Sequence, residues 1–104
     1  MWFSAAILLR SEAADRTPRD LLWEESIVLV KANTEEDAIK IATAIGRRQE
    51  TSYRVEGGAE LRWLFDRVER VFAIEADDLQ SGTELFSRLL RASEVESLLT
   101  PFNE

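Results

Sequence analysis

Cysteine and histidine are both absent from the chain, and its 104 residues include only 2 prolines, 4 glycines and 1 methionine. Without cysteine there is no disulfide, no thiolate nucleophile and no zinc–cysteine site. Without histidine the commonest general base near neutral pH is missing, as is the commonest transition-metal ligand. Any catalysis falls to carboxylates, Lys31, Lys40, Tyr53 or hydroxyls. No stretch approaches the ~20 apolar residues of a membrane helix. The apolar run Ala5–Leu9 has no basic region before it and is closed by Arg10, so it reads as a strand and not as a signal peptide. Positive charge is also scarce, with 13 basic residues against 20 acidic ones and a net charge of −7. Such a surface repels phosphate backbones unless arginines are segregated. The basic groups are short: Arg47–Arg48, and Arg62, Arg67 and Arg70 interleaved with Asp66 and Glu69. The expectation is a cytoplasmic protein with no membrane or nucleic-acid partner, whose acidity suits solubility or a basic protein partner.

What is present is an ordinary globular composition, 45% hydrophobic and 32% charged. The length suits one domain, residues 1–104, with one core. Trp2–Arg10 alternates as a strand with Phe3, Ala5, Ile7 and Leu9 on an apolar face and Trp2, Ser4, Ala6, Leu8 and Arg10 on a mixed one. Ser11–Asp20 is charged, holds Pro18 and is expected to be a loop. Leu22–Ala32 is a second strand, apolar in its middle on both faces and polar toward an end, the mark of a central strand covered on both sides.

Thr34-Glu35-Glu36-Asp37 opens a helix: Thr34 caps free amides and three acids sit at the positive end of the dipole. Ala38, Ile41, Ala42 and Ile45 give it a buried stripe, and Gly46 is expected to end it. Thr51, Tyr53 and Val55 alternate into a third strand that turns at Gly57-Gly58. A two-residue loop there sets Tyr53 opposite Arg62. A three-residue loop sets Val55 opposite Leu61, Tyr53 opposite Trp63 and Thr51 opposite Phe65, and keeps one face apolar, so it is preferred. Beyond the turn, Leu61, Leu64, Phe65, Val68, Val71 and Phe72 also match helical spacing. A strand with one bulge near Asp66–Arg67 fits better, carrying Leu61, Trp63, Phe65, then Val68, Phe72 and Ile74 on one face. Gly82–Arg91 reads as a fifth strand, although Leu85, Phe86, Leu89 and Leu90 also suit a helix. Ser93-Glu94-Val95-Glu96 opens a short terminal helix that Pro101 stops.

The segments "LWEESIVLVKA" (Leu22–Ala32), "RWLFDRVERVF" (Arg62–Phe72) and "GTELFSRLL" (Gly82–Leu90), behind "WFSA" (Trp2–Ala5), resemble the bacterial "domain of unknown function 4288" family. The resemblance spans most of the chain. It implies a strand at "GTELFSRLL" and supplies no activity, cofactor or site residue.

The expected fold is α+β: an antiparallel sheet of four to five strands, order β-β-α-β-β-β-α. One main helix packs on one face. A short C-terminal helix, or a second copy of the chain, covers part of the other. That second face is the main functional clue, because one small helix cannot hide Trp2, Leu8, Val28 and Val30, and Trp23 joins them as a candidate interface residue. The polar candidates are Glu24, Glu25, Glu84 and Arg88. Adjacent strand carboxylates diverge, so Glu24 and Glu25 are expected to be structural, Glu24 paired with Arg10 at the sheet rim and Glu25 meeting Arg88 or solvent. Ser87 lies between Glu84 and Arg88 but has no base to activate it. No cofactor is implied. Two functions follow. The first is a non-enzymatic interaction module that self-associates, or an acidic partner of a basic protein. The alternative is a small carboxylate-dependent enzyme with a divalent metal, which requires three or more of Glu24, Glu25, Asp66, Glu69 and Glu84 to converge.

Overall fold

The computed structural model describes residues 1–13, 22–54, 56–58 and 60–100. The elements are β1 (Trp2–Ala13), β2 (Trp23–Lys31), α1 (Glu35–Arg48), β3 (Thr51–Arg54), β4 (Glu60–Ala73) and α2 (Ala92–Leu99). All strand pairs are antiparallel, in the order β2-β1-β4-β3, so β2 is an edge strand with one side exposed and not the central, doubly covered strand expected from its apolar faces. The α+β class and the main helix on one face are as the sequence implies. The expected loop around Pro18, the Val55–Leu61 pair and the stop at Pro101 lie outside the described residues.

Several element limits differ from the expectation. β1 runs on through Ser11 to Ala13, because Ser11 is buried and its hydroxyl holds the far strand. Its Oγ donates to Leu22 O (2.8 Å) and accepts from Leu22 N–H (2.9 Å). The sheet stops at four strands, since Gly82–Arg91 pairs with none of them.

The core lies between α1 and the odd-numbered side of β1. Phe3, Ala5, Ile7 and Leu9 are buried there with Val30, Ala38 and Ala42. α1 begins as its sequence dictates, Thr34 Oγ1 accepting from Asp37 N–H at 3.1 Å. Its buried line is Ala38, Ala42 and Gly46, while Ile41 is exposed. Small residues one turn apart let the helix lie close to the sheet. Gly46 therefore does not end the helix, which runs to Arg48 with Gln49 as its cap. Bare backbone is needed there, because a Cβ would stand 2.4 Å from Phe65 Cδ1 and 3.0 Å from Ile7 Cγ2.

β4 carries two irregularities, not one. Its ladder with β1 skips Asp66 and then Glu69. Each skipped residue advances the apolar positions by one, so Phe65, Val68 and Val71 all reach the helix side at a spacing of three. That spacing is what imitates a helix in the sequence. The second slip puts Phe72 on the opposite side, facing Ser4, and brings Ala73 beneath the helix opposite Phe3.

The β3–β4 hairpin keeps its apolar side, but its register is displaced by two residues, with Thr51 opposite Trp63 and Tyr53 opposite Leu61. Gly57 and Gly58 both hold positive φ, at 99° and 91°, which side chains resist and glycine accepts. Tyr53 and Trp63 still meet, now diagonally, Trp63 Nε1–H donating to Tyr53 Oη at 3.3 Å. The displacement lets the Glu50 carboxylate accept from Phe65 N–H at 2.9 Å.

α2 has no buried residue. The radius of gyration is 16.5 Å, against about 13 Å for a compact chain of this length.

Candidate interaction surface

The side of the sheet opposite α1 is built by strict alternation. β1 contributes Trp2, Ser4, Ala6, Leu8, Arg10 and Glu12; their partners on β2 are Lys31, Leu29, Ile27, Glu25 and Trp23. The pairing splits the expected interface set. Trp2, Leu8 and Trp23 are on this second side, but Val28 faces Ala5 and Val30 faces Phe3 on the helix side, where Val30 is buried. The apolar residues that occupy their place are Ile27 and Leu29. Leu22–Ala32 is apolar on both faces, so the strand alone does not say which valine or leucine meets the helix. Only its register with β1 decides that.

β2 thus presents Trp23, Ile27 and Leu29 at 53%, 54% and 42% exposure, beside half-buried Leu8. Inward of this patch the second side is charged. Arg10 pairs with Glu12 (3.2 Å) and with Asp66 (3.7 Å), Arg62 pairs with Glu12, and Arg67 pairs with Asp66 (2.5 Å). Arg10 therefore does not meet Glu24: it sits opposite Trp23, and Glu24 lies on the other side opposite Leu9. Glu25 meets Arg70 at 3.5 Å, not Arg88, and Arg70 also holds Glu69. The two adjacent glutamates diverge as strand geometry requires. Two arginines donating to the Glu12 carboxylate, Arg10 foremost and then Arg62, hold its pKa below the usual range.

The segment that was expected to be a fifth strand crosses the β1–β4 part of this side. Ser4 Oγ donates to Leu85 O. Phe86 meets Phe72 edge-on, with ring centroids 5.6 Å apart and planes at 86°. The Arg70 guanidinium lies 3.8 Å from the Phe86 ring centre. Cover over this half thus comes from coil and not from the terminal helix. Arg70, which no sequence motif singles out, ties Glu25, Glu69 and Phe86 together.

The remaining polar candidates are dispersed. Glu84, Ser87 and Arg88 are exposed and make no side-chain hydrogen bond or ion pair with another described residue. Among the described residues no three carboxylates gather as metal ligands would. The clefts are open rim features; one of about 470 Å³ is lined by Trp2, Lys31, Ile74, Glu75 and Asp77, with the Lys31 ammonium 5.5 Å from the Trp2 ring centre.

The family model described as Domain of unknown function (DUF4288) matches residues 2–87. The chain belongs to the DUF4288 family. The DUF4288 match takes in all four strands, α1 and the Leu85–Phe86 crossing, and ends before α2. No curated protein and no solved structure matches the chain. Among the described residues no helix is long and apolar enough to cross a membrane.

Proposed function

We propose that this DUF4288 protein is a non-enzymatic interaction module of the cytoplasm that self-associates. The supporting observation is the apolar patch of Trp23, Ile27 and Leu29 on the outermost strand, facing away from the core. Exposed apolar side chains gathered on one side of a strand, here Ile27 and Leu29 with Trp23 beyond Glu25, mark protein contact sites. Tryptophan is also a favoured interface anchor. The arginine–carboxylate pairs beside the patch give it a polar rim.

The carboxylate-dependent enzyme is less well supported. It needs convergent acids, whereas Asp66, Glu69 and Glu25 are each neutralised by an arginine, and Glu24 is on the opposite side of the sheet. Net charge of −7 also suits a basic protein as a second partner.

Light scattering on the full chain at micromolar concentration tests the proposal. The expected mass is that of a dimer or higher oligomer, reduced toward a monomer by Ile27→Asp. A monomeric mass throughout the micromolar range overturns self-association.

A further inference from the structure

β2 is the outer strand of the sheet, and its backbone polarity can be assigned residue by residue. Ala32 N–H donates to Met1 O (3.0 Å), and Ser11 N–H donates to Leu22 O (2.9 Å). Even-numbered residues of β2 therefore bond inward to β1. By the alternation of an antiparallel ladder, odd-numbered residues direct their N–H and C=O outward. These are Trp23, Glu25, Ile27, Leu29 and Lys31, which include the three residues of the exposed patch. Among the described residues no strand pairs with that outer edge. The strand is 9 residues long, WEESIVLVK, and has no proline, glycine or bulge to protect it. Long, regular unpaired edges of this kind are templates for pairing with another chain.

A second copy can pair with this edge about a twofold axis only if odd residues meet odd, so the axis passes through a residue. Through Ser26, the pairing sets Glu25 against Ile27. Through Ile27, it sets Glu25 against Leu29. Through Leu29, it sets Ile27 against Lys31. Through Val28, it sets Glu25 against Lys31 and Ile27 against Leu29, each twice. Only the last of these matches charge with opposite charge and apolar with apolar.

We propose that β2 pairs antiparallel with β2 of a second copy about a twofold axis through Val28. This rests on the self-association reading and names its geometry. The two sheets become one continuous sheet, joined by about eight backbone hydrogen bonds, two for each facing pair. The Ile27–Leu29 pairs bury the exposed patch across the seam. Val28 meets its own counterpart on the helix side, in a non-hydrogen-bonded position where Cα atoms stand about 4.5 Å apart. On that side Val28 is half-buried against the core, and the cap of α1 reaches β2 through Gln49 Nε2–H, which donates to Ser26 Oγ at 3.3 Å.

A charge-swap cycle tests the register. Within one chain Glu25 and Lys31 are about 20 Å apart along the strand, so they touch only between copies. Glu25→Lys and Lys31→Glu are each expected to weaken the dimer about tenfold in sedimentation at low salt. The double variant, Glu25→Lys with Lys31→Glu, is expected to recover part of the loss, since it still lacks the intrachain Glu25–Arg70 pair. A double variant as weak as the singles, or singles that dimerise like the parent chain, overturns the register.

Val28→Cys provides an independent readout, because the chain has no other cysteine. The spacing at the axis falls within the range a disulfide spans. Mild oxidation is expected to convert Val28→Cys to covalent dimer, while Ser52→Cys on the far edge strand stays monomeric in denaturing gels. Absence of Val28→Cys crosslinking in a parent chain that is dimeric rejects this pairing and leaves the broader self-association reading intact. A monomeric parent chain rejects both.

Discussion

Gly46 of α1 presses against Phe65 of β4 so closely that a methyl group at position 46 would overlap the ring, at 2.4 Å from Cδ1 and 2.6 Å from Cε1. Alanine is the better helix former by up to about 1 kcal/mol, yet here it must push the helix off the sheet. Gly46→Ala is expected to destabilise the fold by about 1–3 kcal/mol, read from the urea midpoint. Adding Phe65→Leu should recover part of the loss by vacating the ring's space. A Gly46→Ala chain as stable as its parent would show that the contact is loose.

Thr34 supplies the hydroxyl that accepts from Asp37 N–H. Thr34→Ala leaves that amide without a side-chain partner and should cost about 1 kcal/mol. Thr34→Ser keeps the acceptor and should lie within a few tenths of the parent. Urea denaturation with helical circular dichroism distinguishes the two.

Glu12 accepts from Arg10 and Arg62, so its pKa is lower in the folded protein than in the unfolded chain. A group of this sign contributes stability above its unfolded pKa and loses it as pH falls through the folded value. Acidification below the ordinary glutamate value of 4.5 should therefore erode stability through this site. Glu12→Gln removes that contribution at neutral pH and should flatten the acid limb of the urea midpoint. Equal slopes for parent and variant would deny the arginines any hold on this carboxylate.

α2 has no buried residue, and Leu98 and Leu99 are exposed. Ending the chain after Arg91 should leave the thermal midpoint of the folded domain almost unchanged, within about 0.5 kcal/mol. A large drop would mean that the helix packs on the domain in solution.

The parts of the fold that follow from local chemistry are legible in the sequence. Thr34 and the acids after it announce α1, Gly57-Gly58 announces a turn, and the period-two pattern of Phe3, Ala5, Ile7 and Leu9 announces β1. What depends on partners is less legible. Val28 and Val30 look equivalent to Ile27 and Leu29 until the register of β2 against β1 divides them. Gly46 looks like a helix terminator because its role is set by Phe65, a residue distant in sequence. The second slip, at Glu69, is hidden because the spacing of three it gives Val68 and Val71 reads equally well as a helical stripe. The segment around Leu85 and Phe86 has strand composition, but it bonds to a serine hydroxyl and an aromatic ring instead of to a ladder. The surface candidates suffered most, since which side of an edge strand is solvated is a tertiary fact.

The skipped residues in β4 also give the strand a tolerance for changes in length. Asp66 and Glu69 are extra to the ladder: with either removed, Phe65, Val68 and Val71 keep their partners Leu9, Ile7 and Ala5. Loss of a residue elsewhere along a regular strand turns everything downstream inside out. Here a neighbouring surplus can absorb it. This strand can shorten by a residue at either place during descent and still present the same side chains to the helix.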